Sequence, residues 1–238
     1  RGCALHLLRS YLSHRRQVVQ INNSRSQVLP LACGVPQGSI LGPLLFNLYI
    51  NDIVNINQDA KFIIYADDTS IIFSGNNIDQ LISSRNDTLV QLQQWSSYNS
   101  MTINTNKTKD IIFNSRPVDI VDHFKSLGVT FTAHMSWETH VNLLVTNLAR
   151  ITGVIGRLRY ILSTKLKLLV YNSLFYSRVN YCQLVWGRTT FSNLQKIYVM
   201  QKRYLRHVYH AGYNATTAGF FHRAHVITAH KLYLYRLS

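Results

Sequence analysis

The chain has 238 residues, 47% of them apolar, and carries 25 Lys and Arg against 10 Asp and Glu. An apolar content this high, with regular turn signals, excludes a disordered chain and supports one or two folded domains. The charge is uneven: residues 1–138 hold 11 Lys and Arg and all ten acids, whereas residues 139–238 hold the other 14 Lys and Arg and no acid.

A hundred folded residues without one carboxylate repel themselves unless a polyanion is present, and nucleic acid is the first candidate. A solvated basic surface or a membrane-surface helix is the other reading. Cys3, Cys33 and Cys182 stand alone, so neither a disulfide framework nor a cysteine zinc module is written here, and an intracellular setting is expected. The run ILGPLLFNLYI is broken by Gly42, Pro43 and Asn47 and falls short of the roughly 20 residues of a membrane helix, so no span is expected. The chain opens on Arg1 with no signal-peptide pattern and reads as a fragment of something longer.

The spacing of Leu5, Leu8, Tyr11 and Leu12 predicts a helix over Cys3 to Ser13. QVVQINN then alternates as a strand ending in an Asn-rich turn, and QVLPLACGV completes a hairpin. GVPQGSILGPLLFNLYINDI reads as a glycine-punctuated loop entering a helix from about Ser39 to Asn51, with Ser39 as N-cap. FIIYADDTSIIF, residues 62–73, reads as a second hairpin. Asp79 is expected to cap a helix carrying Ile82, Leu89, Leu92 and Trp95 and stopping near Asn99.

Short strands are expected around Met101 to Asn104 and Asp110 to Phe113, and HFKSLGVTF as one more strand interrupted by a glycine. From Trp137 the pattern turns helical. Val141, Leu144, Val145, Leu148 and Ile151 form one apolar stripe and Leu166, Leu169, Val170 and Leu174 another, with Lys and Arg on the remaining faces. The architecture is α+β first and helical second, with a boundary near residue 135.

The adjacent aspartates of Tyr65-Ala66-Asp67-Asp68 interrupt a strongly strand-forming segment. Two carboxylates side by side repel each other and call for a cation, and Mg²⁺ takes one or two carboxylates together with substrate phosphates. The four residues alone equally describe an Asp-rich turn that only caps itself. Upstream, GVPQGSILGP spaces its glycines so that backbone can approach a ligand, with Gln37 between them, although an ordinary loop reads the same way.

GVPQGSILGP, YADD, the W-x3-N-x4-N-x2-KT series (Trp95, Asn99, Asn104, Lys107, Thr108) and KSLGV, in that order, resemble the reverse transcriptases of non-LTR, jockey-type retrotransposons. Group II intron maturases share a related loop and hairpin, but the SILGPLLFNLYINDI continuation is more similar to the retrotransposon form. The resemblance extends through the basic tail with LVWG and LQKIYVMQKRYLR. It implies the partial palm of a right-hand polymerase, with an antiparallel sheet and part of the fingers, over residues 1–135. An all-helical basic thumb and C-terminal extension over residues 136–238 is implied with it.

The resemblance also implies RNA-directed DNA polymerisation, with an RNA template, a DNA primer, deoxynucleoside triphosphates and Mg²⁺ in a two-metal site. Asp67 would ligate metal most directly and Asp68 secondarily. Tyr65 and Ala66 would lie near the primer terminus, and Pro36, Gln37 and Gly38 beneath the templating base and incoming nucleotide. Lys107 would stand near the triphosphate, and Leu127 and Gly128 would hold the primer strand. The thumb would track the nucleic-acid backbone. Nuclear action is implied only by the resemblance, and nothing in the chain indicates an oligomeric state.

The family's further metal-binding aspartate, on a strand upstream of the glycine loop, matches no position here, because no Asp or Glu precedes Asp52. A retroelement remnant that only binds nucleic acid is therefore the alternative, and the isolated chain is expected to be inactive as a polymerase. His207, His210, His222 and His225 form two H-x-x-H pairs but have no Cys or carboxylate beside them, so they read as basic surface or packing. Trp95, Trp137 and Trp186 read as core anchors.

Overall fold

A computed structural model describes residues 2–113 and 123–238. The chain forms two compact units, Arg1–Asn106 and Lys107–Ser238.

In the first unit, α1 (Cys3–Leu12) is followed by β1 (Arg16–Gln17), β2 (Gln20–Ile21), β3 (Ser24–Arg25) and β4 (Leu29–Pro30). β2 pairs with β3 and β1 with β4, so the expected hairpin forms around Asn22, whose φ is 52°. Of QVLPLACGV only Leu29 and Pro30 pair. Ser26 interrupts the ladder: its hydroxyl accepts the Val19 N–H at 3.0 Å, in the place a carbonyl would take.

Next comes α2 (Leu41–Tyr49), shorter than expected and continued by a 3₁₀ segment, Asn51–Ile56, that buries Ile53. Ser39 acts on the helix start from further out than an N-cap, its Oγ accepting the Gly42 N–H at 3.0 Å. β5 (Lys61–Tyr65) and β6 (Asp68–Ile72) form the expected hairpin, with five residue pairs from Lys61↔Ile72 to Tyr65↔Asp68.

The cap of α3 (Ile78–Tyr98) is Asn77, not Asp79: Asn77 Oδ1 accepts the backbone N–H groups of Asp79 and Gln80. Asp79 sits in the first turn, where its charge complements the positive helix end. The helix docks on the segment behind α2. Trp95 Nε1 donates to Asp52 Oδ1 at 3.2 Å, Asn57 Nδ2 to Thr88 Oγ1 at 2.7 Å, and the Tyr49 hydroxyl to the Asn99 carbonyl at 2.6 Å. The strands expected at 101–104 and 110–113 do not form, since the Met101 N–H folds back onto the Ser96 carbonyl at 2.8 Å and a turn follows at 105–107.

In the second unit, HFKSLGVTF is a hairpin rather than one strand: β7 (His123–Ser126) pairs with β8 (Val129–Thr132). Leu127 (φ 45°) and Gly128 (φ 83°) are both left-handed, the combination that closes a two-residue turn matched to strand twist. Helices follow: α4 (Glu138–Arg157), α5 (Thr164–Val170), a π segment (Tyr171–Tyr176), α6 (Ser177–Asn180), α7 (Gln183–Trp186), α8 (Phe191–Val208), α9 (Ala218–Arg223) and α10 (Ala229–Leu237).

The α4 stripe is as expected, with Val141, Leu144 and Leu148 buried in one core with Ile155, Tyr171, Phe175, Trp186, Ile197, Tyr204, Val208 and Leu232. The second stripe is not: Leu166, Leu169 and Leu174 are exposed, and the buried face reads Lys167, Tyr171, Phe175 and Val179. Lys167 takes a core position because its ammonium donates to the carbonyls of Arg159 (3.0 Å) and His207 (3.3 Å) and meets His210 Nε2 at 3.0 Å.

Among the described residues the strands form four separate two-stranded antiparallel ladders. The β7–β8 hairpin buries Val129 and Thr130 in the unit that holds α4. No described helix is long and apolar enough to cross a membrane.

Candidate active site

Asp67 and Asp68 stand at the tip of the β5–β6 hairpin. The Tyr65↔Asp68 pair closes the ladder and leaves Ala66 and Asp67 as its two-residue loop. Ala66 carries φ 51°, a left-handed geometry that costs a residue with a Cβ about 1–2 kcal/mol. Strain of this kind persists where surrounding structure enforces it, here the ladder on either side. Both aspartates are exposed, so their charges keep water and avoid the desolvation a buried pair would meet. Ile63, Tyr65 and Ile72 beside them are also exposed.

The glycine loop is built separately. The Ser39 N–H donates to the Pro36 carbonyl at 3.3 Å, closing a turn with Gln37 and Gly38 at its centre. Gly38 has φ 77° and no atom within 4 Å of where a Cβ would lie, so backbone conformation, not crowding, calls for glycine there. Two residues that the sequence did not single out hold the loop from α1 and the residues just after it. The Arg15 guanidinium donates to the carbonyls of Cys33 (2.9 Å), Gly34 and Leu12, and the Tyr11 hydroxyl donates to Ser39 Oγ. No sequence spacing announces these contacts, since most of them end on backbone carbonyls that any residue supplies.

The remaining expected site residues belong to the second unit. Lys107 lies in the exposed turn at 105–107. Leu127 and Gly128 are the tip of the β7–β8 hairpin, where the Tyr181 hydroxyl donates to the Leu127 carbonyl at 2.6 Å. The Tyr181 ring lies 3.3 Å from where a Gly128 Cβ would be, a tight contact, and the positive φ of 83° is what favours glycine here.

Near the start of β8, the Thr130 N–H donates to His140 Nδ1 at 3.3 Å. That bond requires an unprotonated Nδ1, and burial, aided by Lys125, holds the His140 pKa below the ordinary histidine value. Trp186 is a core anchor as expected, Trp137 packs against the same core, and Trp95 is half-buried against Asp52.

The pattern of the family described as "Reverse transcriptase (RNA-dependent DNA polymerase)" matches residues 2–131, more than half of the chain. The chain belongs to the reverse transcriptase family. It is similar to the RNA-directed DNA polymerase from mobile element jockey of Drosophila melanogaster, 27% identical over 225 residues, covering 85% of this chain and 24% of the relative. The probable RNA-directed DNA polymerase from transposon X-element of the same fly is 26% identical over 222 residues, covering 84% and 24%. A putative 115 kDa protein in the type-1 retrotransposable element R1DM is 26% identical over 208 residues, covering 79% and 20%. The chain thus spans about a quarter of the length of the curated relatives it matches.

The reverse transcriptase match takes in the glycine loop, the Asp67-Asp68 hairpin, Lys107 and the Leu127-Gly128 turn, and stops before the basic helices. Those helices are reached by the wider similarity to the jockey polymerase. The W-x3-N part of the family signature is accounted for by structure: Trp95 binds Asp52, and Asn99 caps α3 through the Trp95 carbonyl while receiving Tyr49.

The donor chemistry at the hairpin tip fits a hard divalent cation, since both groups are exposed carboxylates on adjacent residues. No three His, Cys, Asp or Glu side chains gather into a metal-binding group among the described residues. Asp52 is engaged with Trp95. The rings of His222 and His225 lie 6.4 Å apart, and His210 Nε2 meets the Lys167 ammonium.

Proposed function

We propose that this chain supplies the later palm and the thumb of an RNA-directed DNA polymerase of a non-LTR retrotransposon, residues 1–135 and 136–238 in those roles. Its substrates are an RNA template, a DNA primer and deoxynucleoside triphosphates. The observation that carries this reading is the pair of exposed carboxylates on the Asp67-Asp68 hairpin in a chain of this family.

Asp67 and Asp68 would hold Mg²⁺, which when bound supplies Lewis-acid activation of the primer 3′ oxygen and charge neutralisation on the phosphates. The chain's own residues do the positioning. Pro36, Gln37 and Gly38 present an open turn beneath the base pair being formed, and Tyr65 and Ala66 flank the primer end. Lys107 offers a cation to the triphosphate, and Leu127 and Gly128 contact the primer strand. The relatives named as RNA-directed DNA polymerases support the assignment.

The acid-free region 139–238 suits phosphate contacts, and several of its aromatic rings already carry cations. Arg159 lies 4.4 Å from the Tyr160 ring centroid, and Lys202 and Arg223 each lie 4.9 Å from the rings of Tyr198 and Tyr209. Rings and guanidinium groups of this kind also serve bases and phosphates.

A second reading is nucleic-acid binding without catalysis, which the acid-free region 139–238 would support by itself. Two experiments separate the readings. Binding of the chain to a primer-template should weaken steeply as salt rises, and a flat response would remove the electrostatic basis of both. Primer extension by the chain joined to an upstream strand bearing the missing aspartate should be abolished by Asp67→Asn. Extension that survives this substitution would overturn the metal assignment.

A further inference from the structure

The KSLGV turn and Tyr181, just before the LVWG segment, are joined across 54 residues and belong to one closed circuit of contacts. The Tyr181 hydroxyl donates to the Leu127 carbonyl at 2.6 Å. The Tyr181 carbonyl in turn accepts from Trp186 Nε1 at 2.8 Å, and Trp186 is fully buried in the helical core. The ring of Trp186 meets His140 at a centroid distance of 5.4 Å, and His140 Nδ1 accepts the N–H of Thr130 on β8 just past the turn. The hairpin is therefore tied at its tip and along its second strand to one buried tryptophan.

We propose that Tyr181 is a positioning residue for the primer strand, acting through the Leu127-Gly128 turn; the inference rests on the primer contact assigned to that turn above. In a planar trans peptide the carbonyl and the following N–H point in opposite directions. Capture of the Leu127 carbonyl by Tyr181 thus aims the Gly128 N–H away from the helices. A backbone N–H so directed is a donor for a nucleic-acid phosphate, and Lys125 on the same hairpin is exposed.

Leu127 holds φ 45° although it has a side chain. Unfavourable backbone of this kind is retained where contacts enforce it. The phenol is one such contact, and it fixes the peptide plane that faces the primer.

The test uses the chain as it stands with two probes of equal length, a primer-template with a recessed 3′ end and a blunt duplex. The wild-type chain should prefer the recessed end. Tyr181→Phe keeps the ring over Gly128 and removes only the hydroxyl. It should lower that preference roughly three- to tenfold, the weight of one hydrogen bond, and leave blunt-duplex affinity and the melting midpoint unchanged.

An unchanged preference in Tyr181→Phe would overturn the proposal, and so would an equal loss on both probes, which marks a merely structural effect. A wild-type chain that binds both probes alike would overturn the primer contact of Leu127 and Gly128, and the proposal with it. Salt-dependent duplex binding by the thumb would still stand in that case. Should Tyr181→Phe melt early, amide exchange at Val129 decides. Faster exchange at 127–129 alone supports the tie, and uniform loss of protection overturns it.

Discussion

Arg15 and Gly34 are joined side chain to backbone: the guanidinium donates to the Gly34 carbonyl while the same nitrogen reaches the Cys33 carbonyl at 2.9 Å. The glycine loop thereby begins at an anchored point, and the Tyr11 bond to Ser39 anchors its other end. A loop that must present Gln37 and Gly38 in one conformation gains from both ties, because each removes freedom the glycines would otherwise supply. Arg15→Ala should speed amide exchange at Ser39 and Gly42 about tenfold, consistent with loss of charge-assisted hydrogen bonds on a partly exposed site. Exchange that stays at the wild-type rate would show that the loop is held by its own turn.

Ala66 offers a test of strain at the hairpin tip. With φ 51° it sits where glycine is at ease and a β-branched residue is not. Ala66→Val should destabilise the β5–β6 hairpin by about 1–2 kcal/mol relative to Ala66→Gly. The difference is read from amide exchange within residues 61–72. Equal protection in the two variants would mean that the tip relaxes into another turn type.

Lys167 contributes to stability through satisfied burial. Its side chain is fully buried, and the ammonium serves the carbonyls of Arg159 and His207 together with His210 Nε2. Lys167→Ala leaves those acceptors without a donor and opens a cavity, and should cost about 3 kcal/mol in denaturant unfolding. Lys167→Met fills much of the volume and isolates the polar component. If Met restores full stability, packing rather than hydrogen bonding holds this corner of the core.

The histidines set a pH dependence with a definite sign. Burial lowers the pKa of His140, with help from Lys125. Burial also lowers that of His207, with help from Arg159, Arg203 and Lys167. For a base whose folded pKa is depressed, the unfolded chain binds the proton first, so stability is fully present above the unfolded value of 6.5 and declines as pH falls below it. Denaturant midpoints of the second unit should be flat from pH 8 to about 7 and fall from about 6.5 to 5.5. His140→Gln should reduce the slope. A midpoint that rises on acidification would contradict the assignment of Nδ1 as acceptor for Thr130.

Local order determined much of this protein. The alternation across FIIYADDTSIIF and the incompatibility of two adjacent carboxylates with an apolar interior were enough to place Asp67 and Asp68 at a hairpin tip, where the structure has them. The spacing of Val141, Leu144 and Leu148 likewise marked the buried face of α4. Both are consequences of side-chain period, which is written in neighbouring residues.

What required the tertiary structure is whatever depends on partners distant in the chain. Lys167 reads as solvent-facing until the His207 carbonyl, 40 residues further on, is brought to its ammonium, and the leucines around it read as core until the π segment carries Tyr171 and Phe175 inward instead. HFKSLGVTF reads as one strand because no local rule favours a left-handed leucine; Tyr181 grips that turn from 54 residues away. The contacts of Arg15 were hidden for the same reason, since backbone carbonyls carry no sequence signature. Periodicity is local and survives in the sequence, whereas the satisfaction of a buried or strained group is decided only where the chain returns upon itself.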